Sequence, residues 1–369
     1  MKPLRATYIL AVFLSLCGFV LPAAAGGSDA GGVFTMSNAA DGNAILVFAH
    51  RPHQGLVGLG SVPTGGLGSG SGLGNQGGLL LGPDRRALYA VNAGSNSISV
   101  FSVRHGRPRL IGTVAAGGQQ PVSLTRHGRL LYVLNAGSDS IAGFTVDHNG
   151  MLSPLADSVR SLSGSGTGPA QVGFTPWGDA LVVTEKATNR ITTFVLDADG
   201  RPGPAVVNAS AGTTPFGFAF DRYGHLLVSE ANGGAVDASS LSSYDVRDDG
   251  TLELLAAAVP TTETAACWVV TSRNGRYAFT TNAGSSSISA FRSHPDGSLT
   301  LTSDDGVAAS TGAGTAPIDM ALSSGGNTLF ALSAADGSIA AFRVLGNRRL
   351  VPIPGVTGLP TGLNGLAAY

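Results

Sequence analysis

The sequence predicts an all-β protein, a seven-bladed β-propeller of four-stranded blades. Three observations carry this prediction: a segment of about ten residues occurs seven times, its copies begin 43 to 54 residues apart, and the chain combines 54 glycines with a charged fraction of 12%. That spacing is too long for a helical or strand period and is typical of one propeller blade. Abundant glycine and few charges favour tight turns between short strands over helices.

The recurring segment joins the end of one apolar strand to a small polar turn and a second strand that ends on an aromatic residue. Its copies are NAADGNAILVF (38–48), NAGSNSISVF (92–101), NAGSDSIAGF (135–144), EKATNRITTF (185–194), EANGGAVDASSLSSY (230–244), NAGSSSISAF (282–291) and SAADGSIAAF (333–342). Because the copies follow one another without a break, we expect a single propeller domain over residues 33–369, preceded by a signal peptide over 1–25 and a short linker over 26–32.

The third copy illustrates the predicted order of strands and turns in one blade. Four strands are predicted between residues 119 and 160, and the Asn149-Gly150 pair marks a hairpin turn between the last two. The predicted strands are PVSLT (121–125), LLYVLN (130–135), IAGFTV (141–146) and MLSPLADSV (151–159). A glycine-rich stretch then leads inward to the next innermost strand.

The two ends of the chain complement each other. VFTMSN (33–38) already matches a second strand, so the first copy lacks an innermost strand, whereas GLNGLAAY (362–369) matches an innermost strand and has no blade of its own. We therefore expect the C-terminal strand to complete the N-terminal blade. This closure of the ring would leave no central sheet edge unpaired.

The first residues are typical of an export signal. Lys2 and Arg5 precede an apolar run over 8–20, and small residues before position 26 predict cleavage after Ala25. A lipid anchor on Cys17 is the less favoured alternative, because the preceding leucine stands where a small residue is expected. We expect a periplasmic or secreted protein with no membrane span once the signal is removed.

The cysteine count and the net charge limit which disulfides and which classes of partner we expect. Without the signal, Cys267 is the one remaining cysteine, so no intramolecular disulfide is available, and the neighbouring Trp268 favours a buried thiol over a nucleophile. The formal net charge of −1 becomes −3 when Lys2 and Arg5 leave with the signal. No nucleic-acid or anionic-membrane partner is indicated, and we expect a monomer.

Propeller geometry places the turns after the second strands beside the inward connections, around the mouth of the central channel. The residues that end the second strands form a ring there, namely Asn38, Asn92, Asn135, Glu185, Glu230, Asn282 and Ser333. Asparagine before Ala-Gly-Ser suits a tight turn, so Asn135 and Asn282 are binding candidates with a strong structural alternative. Turn formation does not require Glu185, Glu230 or Lys186, which are therefore the catalytic candidates, with solvated rim charges as the alternative.

A second ring lies where the innermost strands begin. Gln171, Trp268 and Asp319, with Gly217 among them, are too varied to serve packing alone, so we take these three side chains as further binding candidates. The histidines show neither a metal-ligand spacing nor a Ser-His-Asp arrangement. No cofactor is predicted, although asparagine and glutamate oxygens around a channel also suit calcium.

The repeats resemble the lactonase family of seven-bladed propellers, which includes propeller-type 6-phosphogluconolactonases and the fungal 3-carboxymuconate cyclase. The likeness is carried by the NAGS-type turns with their Ile-Ser-x-Phe strands and by segments 168–189, 215–231 and 266–284. It implies the propeller fold and a site at the channel mouth that acts on a lactone or a muconate.

The family's catalytic pattern places Gly-Pro-Arg-His at the head of an innermost strand and Asn-Glu at the end of the next strand. Here Gly168-Pro169 match, whereas Ala170 falls on the arginine and Gln171 on the histidine. Glu185 falls on the asparagine and Lys186 on the glutamate. The resemblance therefore implies a lactonase-like site in which none of the three functional residue types is matched.

Three functions fit these observations. The first is a lactone hydrolase or muconate cyclase in which Glu185 or Glu230 acts as general base and Lys186 stabilises the oxyanion. The second is a non-catalytic envelope or secreted propeller that binds a protein or glycan on its top face, similar to the YVTN-type surface propellers. The third is a calcium-assisted lactonase.

Overall fold

The computed structural model describes residues 31–51, 54–346 and 349–369; the predicted signal peptide lies outside them. Seven antiparallel sheets follow one another along the chain. The innermost strand of each sheet contacts that of the next, and the last returns to the first. One short 3₁₀ turn, Asn232–Gly234, is the single helical element among the described residues. The predicted fold class is confirmed.

The sheets are called blades 1 to 7 in chain order. Blades 1 to 4 contain β1 (Gly31–Met36), β2 (Ala44–Arg51), β3 (Gly55–Pro63), β4 (Leu79–Leu81), β5 (Ala87–Asn92), β6 (Ser97–Arg104), β7 (Arg107–Ala115), β8 (Pro121–His127), β9 (Leu130–Asn135), β10 (Ser140–Val146), β11 (Leu152–Pro154), β12 (Arg160–Ser161), β13 (Pro169–Phe174), β14 (Ala180–Glu185), β15 (Arg190–Val195) and β16 (Val206–Ala209). Blades 5 to 7 and the closing strand contain β17 (Pro215–Phe220), β18 (Leu226–Glu230), β19 (Ser240–Val246), β20 (Leu252–Pro260), β21 (Ala266–Thr271), β22 (Tyr277–Asn282), β23 (Ser287–Ser293), β24 (Leu299–Leu301), β25 (Ala309–Ser310), β26 (Pro317–Leu322), β27 (Thr328–Ser333), β28 (Ser338–Leu345), β29 (Arg349–Val356) and β30 (Asn364–Ala368).

The ring closes as the sequence predicts. Strand β30 is the innermost strand of blade 1 and pairs antiparallel with β1, with Leu366 opposite Thr35. The backbones of Gly32 and Tyr369 exchange two hydrogen bonds, at 3.2 and 3.0 Å. Strand β1 begins at Gly31, so the last two residues of the expected linker take part in the sheet.

The core consists of layers between neighbouring blades. Strand β9 illustrates why the second strands are almost uniformly apolar: Leu131 and Val133 pack towards blade 2, while Tyr132 and Leu134 pack towards blade 4. Alternate residues of a strand point to opposite faces, so a strand enclosed on both sides needs apolar residues at every position. Each blade is therefore fixed in angle by two apolar layers.

The outer strand of blade 3 differs from the prediction. In place of the expected strand over 151–159 there are two short strands, β11 and β12, that pair with different parts of β10, and β12 begins beyond the expected end. Between them the hydroxyl of Ser158 accepts a hydrogen bond from the backbone N–H of Gly143 at 3.0 Å. The serine side chain replaces a strand carbonyl at this point, and the backbone is free to turn away. The outer strand of blade 6 is divided in the same manner.

Candidate functional site

The ring of residues that end the second strands is buried. Inward connections pass over ring residues of the blades they enter, as Gly66 does over Asn92, Gly118 over Asn135 and Gly212 over Glu230. A Cβ on Gly66 would lie 2.4 Å from Cγ of Asn92, which is too close for any side chain. Glu185 and Glu230 are both 0% exposed. The alternative of solvated rim charges is therefore wrong, because the connections cover the turns.

The carboxylate of Glu185 accepts hydrogen bonds from four donors. Its Oε1 accepts from the backbone N–H of Ser163 at 3.1 Å and from Oγ1 of Thr192 at 2.6 Å. Its Oε2 accepts from Oγ1 of Thr188 at 2.8 Å and from the hydroxyl of Ser163. All four donors belong to blade 4 and the connection into it. The carboxylate joins that connection to the turn and the third strand of its own blade.

The carboxyl group of Glu230 has one paired oxygen. Oε2 accepts a hydrogen bond from Oγ of Ser240 at 2.6 Å, whereas Oε1 is buried without a partner. Burial raises the pKa of Glu230 to about 7, against the opposing effect of the hydrogen bond from Ser240. This group therefore changes its protonation state near neutral pH inside blade 5. Glu230 and Glu185 share no hydrogen-bond partner. Each carboxylate bonds within its own blade or the connection into it.

The asparagines of the ring make local bonds as well. Nδ2 of Asn282 donates to the hydroxyls of Ser287 and Ser289, both at 2.9 Å. Nδ2 of Asn135 donates to the carbonyl of Ala116 at 3.2 Å. Both side chains are fully buried. These contacts support the structural alternative that the turn sequence favours.

Members of the second ring connect neighbouring blades. Gln171 of blade 4 accepts from the backbone N–H of Phe218 at 2.7 Å and donates to the carbonyl of the same residue at 3.0 Å. Asp319 of blade 7 accepts from the N–H of Leu366 at 3.0 Å. Burial raises the pKa of Asp319 well above its usual range, and the backbone hydrogen bonds to Met320 and Leu366 oppose that effect. Gln171 and Asp319 thus share one task, which is to join innermost strands that do not pair directly.

Residues 73–78, which we call the channel segment, enter the channel from the connection between blades 1 and 2. Gln76 reaches blade 6, where its Oε1 accepts from the N–H of Val269 at 3.0 Å and its Nε2 donates to the carbonyl of Val269 at 2.8 Å. Its backbone N–H donates to the carbonyl of Ala170 in blade 4 at 3.0 Å. A Cβ on Gly217 would lie 2.1 Å from Oε1 of Gln76. The Gln76 side chain therefore occupies the space that is free because Gly217 has no side chain.

Lys186 is the catalytic candidate that faces the channel. Its Nζ donates to the carbonyl of Gly74 in the channel segment and lies 4.7 Å from the ring centroid of Phe216. Phe216 in turn packs on Trp268, with ring centroids 4.9 Å apart. Burial lowers the pKa of the Lys186 ammonium to about 8, an effect that the nearby Cys267 opposes. The structure thus brings Lys186 and Trp268 into one cluster, while Glu185, next in the chain, points into its own blade.

The thiol of Cys267 belongs to the same cluster. Its Sγ lies 3.1 Å from the carbonyl oxygen of Ala265, and burial raises its pKa to about 12. A thiol with that pKa is almost entirely protonated at neutral pH and is a poor nucleophile. The structure therefore favours the buried, structural interpretation of Cys267.

Comparison with known proteins agrees with this architecture. A family model described as lactonase, seven-bladed β-propeller, matches residues 43–165. The resemblance to the lactonase family is confirmed. No curated protein matches the sequence. The match to the family model covers about a third of the chain.

Solved structures with the same fold cover nearly all of the chain. A putative 6-phosphogluconolactonase from Bacteroides fragilis is 20% identical and has a TM-score of 0.70, covering 93% of this chain and 99% of its own. The periplasmic gluconolactonase of Pseudomonas aeruginosa is 19% identical with a TM-score of 0.69, and the match covers 91% and 98% of the two chains. A protein from Lactobacillus plantarum is 15% identical with a TM-score of 0.74, covering 92% and 99%. At these identities the likeness establishes the fold.

Sequence reasoning missed one residue of the site, Gln76. It lies in a glycine-rich connection, where a single polar side chain leaves no periodic signal. Lys186 is among the predicted catalytic candidates, and composition adds a further signal for it: apart from Lys2 it is the one lysine of the chain, and arginine occupies every other Lys or Arg position. Lysine at a buried position changes its pKa far more readily than arginine.

Two further findings concern metals and membranes. Within the described ranges, no group of three or more His, Cys, Asp or Glu side chains is arranged to hold a metal ion. Over the same residues, no helix has the length and apolar character needed to cross a membrane.

Proposed function

We propose that this lactonase-type propeller acts on a small lactone at the channel mouth and that Lys186 is the group that performs the chemistry. The observation that carries the proposal is the position of Lys186: a lone lysine beside the channel segment, with a pKa of about 8 caused by burial. The resemblance supports the same position, because Lys186 falls on the glutamate of the family's catalytic pattern. The two carboxylates then have structural roles.

A lysine with this pKa suits both steps of lactone hydrolysis, the attack of water and the breaking of the ring C–O bond. A general base works best when its pKa lies near the operating pH, and a desolvated lysine amine meets that condition. The neutral amine of Lys186 accepts a proton from the water that attacks the ring carbonyl, and the resulting ammonium stabilises the oxyanion. When the ring C–O bond breaks, the proton passes to the leaving alkoxide and the product is a hydroxy acid.

The test is a hydrolysis assay on the mature protein with a panel of aldonolactones and muconolactones. We expect kcat/KM to rise with pH through about 8, since the amine must lose its proton to act as base. Lys186→Met should lose at least ~100-fold in kcat, the usual contribution of a general base. Lys186→Arg should be as inactive, because a guanidinium stays protonated.

Gln119→Ala is the matched control, because Gln119 is exposed on the same face and makes no side-chain hydrogen bond within the described residues. A wild-type protein inactive on the whole panel, or a Lys186→Met variant that retains full activity, would refute the lactonase proposal.

A second function is favoured by a different observation. The channel segment bonds across the channel to blades 4 and 6, while the long turn of blade 5 carries Val236, an apolar side chain that is 79% exposed. A partner-binding propeller would use such a projecting turn. Val236→Asp should then abolish capture of a protein or glycan from envelope extract, and Val159→Asp, on the outer edge of blade 3, should not. Equal capture by all three proteins would argue against this function.

Export of the protein is part of the proposal. The pattern of residues 1–25, with two cations, an apolar run and small residues before position 26, supports a periplasmic or secreted location. N-terminal sequencing of the protein recovered from culture fractions tests it. A mature chain that begins at Gly26 outside the cytoplasm is the expected result, and an uncleaved chain in the cytoplasm would contradict it.

A further inference from the structure

The face opposite the channel mouth carries a concentration of arginine. Residues 84–129 contain seven arginines and one aspartate, although the net charge of the whole chain is −1. Four of these arginines line a cavity of about 960 Å³ between the outer strands of blade 2 and the outer hairpin of blade 3, namely Arg86, Arg104, Arg107 and Arg109. We call this cavity the arginine cleft.

Pairing of β6 with β7 brings three of these charges together. Arg104 lies directly opposite Arg107, and Arg109 lies opposite Ser102. Because residues of a strand alternate between its faces, these side chains share one face of the blade. Like charges directly opposite each other destabilise a sheet. Folding gains nothing from this arrangement, so the charge requires another explanation.

Nearby acids do not neutralise the cleft. In the part of the chain that the structure describes, no ion pair includes a cleft arginine; the cations that form ion pairs are Arg201, His225 and Arg247. Asp84 and Asp147 line an adjoining cavity of about 430 Å³. Asp147 accepts from the backbone N–H groups of Asn149 and Met151, both at 2.8 Å, and Asp84 accepts from that of Arg86 at 3.1 Å. These carboxylates organise turns at the edge of the cleft.

We propose that the arginine cleft binds a small molecule that carries at least two oxyanion groups, either phosphates or carboxylates. Arg107 and Arg109 stand two residues apart on one strand, about 6.5 Å between Cα atoms, and Arg104 faces Arg107 at about 5 Å. Guanidinium groups at these separations bind two neighbouring oxyanions, each through paired hydrogen bonds. Ile111 and Met151 line the same cavity and supply apolar surface for the body of the ligand.

The site is independent of the proposed lactone chemistry, because it lies on the other face of the disc. Calorimetric titration at low salt with inorganic pyrophosphate and with citrate distinguishes phosphate from carboxylate ligands. We expect saturable binding of at least one of them, weakening as salt rises. The double variant Arg107→Ala/Arg109→Ala should bind at least ~10-fold more weakly, the loss expected when charge-assisted hydrogen bonds are removed.

Arg292→Ala is the matched control, since Arg292 is exposed on β23, the corresponding strand of blade 6, opposite Thr300. Its affinity should equal that of the wild type. Arg104→Ala should raise the melting temperature of the ligand-free protein, because it removes one of two facing like charges. No saturable binding of either probe up to ~10 mM, which corresponds to less than about 3 kcal/mol, would overturn the proposal, as would equal weakening in Arg292→Ala.

Discussion

In blades 2, 4, 5 and 6 a single side chain at the end of the second strand bridges to the third strand, and the chemistry of this bridge varies from blade to blade. Asn282 donates to two serine hydroxyls, whereas Glu185 and Glu230 accept from threonine and serine hydroxyls at corresponding positions. A hydroxyl can either donate or accept a hydrogen bond. Serine and threonine in the third strand therefore allow an amide or a carboxylate to fill the same place.

Removal of the Glu185 carboxylate should destabilise the protein strongly. Glu185→Ala leaves four donors without an acceptor, namely the buried hydroxyl of Thr192 and the partly buried donors of Thr188 (one) and Ser163 (two). An unsatisfied buried donor costs about 1–3 kcal/mol, so we expect a loss of about 3–5 kcal/mol in the free energy of unfolding measured with urea. Glu253→Ala, which removes a half-exposed carboxylate, should cost less than about 1 kcal/mol. A similar small loss for Glu185→Ala would show that the carboxylate is not a structural bridge.

The stability contributed by Glu230 should fall as the pH rises. A carboxyl group whose pKa is lowered by folding behaves in the opposite way. The pKa of Glu230 is raised to about 7, so the folded state binds its proton more tightly than the unfolded state does. That contribution is complete below about pH 4.3, the pKa of an unfolded glutamate, and is lost as the pH rises through 7. It amounts to about 3 kcal/mol.

Glutamine resembles a protonated carboxyl group and does not titrate. Glu230→Gln therefore tests directly whether the stability depends on protonation of Glu230. Between pH 5 and 8 we expect the wild type to lose up to about 3 kcal/mol relative to Glu230→Gln. Urea unfolding of both proteins at several pH values measures the difference. Parallel pH curves for the two proteins would mean that Glu230 is ionised in the folded state throughout this range.

At the scale of elements, side chains replace backbone pairing where innermost strands diverge. Gln171 and Asp319 each bond the backbone of the next blade, and Gln76 does the same for blade 6, where Gly217 has no side chain. The outer hairpins are held similarly: the hydroxyls of Tyr89 and Tyr132 donate to the carbonyls of glycines in the outer turns of the following blades, at 3.0 and 2.7 Å. Neighbouring blades are thus joined at both their inner and outer ends.

Loss of the Gln76 side chain should loosen the channel segment. Gln76→Ala leaves the buried N–H and carbonyl of Val269 unpaired, at a cost of about 1–3 kcal/mol. Hydrogen exchange should show faster exchange of the Val269 amide and of residues 73–78. Gln119→Ala, an exposed change on the next connection, should leave both rates unaltered. Unchanged exchange in Gln76→Ala would mean that the segment is held by its backbone bonds alone.

The elements and the residue roles differ in how far the sequence determines them. Strand β9 was predicted residue for residue, because a strand buried on two faces must be apolar throughout. The divided outer strand of blade 3 was not, since a serine that replaces a backbone carbonyl leaves no periodic signal. The burial of Glu185 depends on Ser163 in another segment, and the role of Gln76 depends on Val269, which follows it by 193 residues. Contacts of that range arise only when the ring has closed.

At the scale of the whole molecule, apolar layers between blades make closure a requirement. A blade with an open side would expose one of its two apolar faces, so each blade depends on both neighbours. Leu366 of strand β30 and the preceding Leu363 complete the apolar layer between blades 7 and 1, and Tyr369 stacks on Phe34 with ring centroids 5.8 Å apart. We therefore expect the seven blades to unfold as one unit.

This arrangement predicts that the ring tolerates a new opening in a turn but not the loss of its closing strand. The backbones of Gly32 and Tyr369 are hydrogen-bonded, so a short glycine linker can join the two ends. New termini between the exposed residues Asp248 and Asp249 should give a permutant that unfolds cooperatively, with a melting temperature within ~5 °C of the wild type, equivalent to about 1–2 kcal/mol.

A chain that ends at Gly362 should behave very differently. It loses Leu363, Leu366 and Ala367 from the core and leaves β1 as an unpaired edge. Each leucine contributes about 1.5–3 kcal/mol through burial, and the unpaired edge exposes a template for aggregation. Because a folded domain is stable by only about 5–15 kcal/mol, the truncated chain should lose its cooperative thermal transition or aggregate. A truncated chain that melts like the wild type would show that each blade is stable without the closed ring.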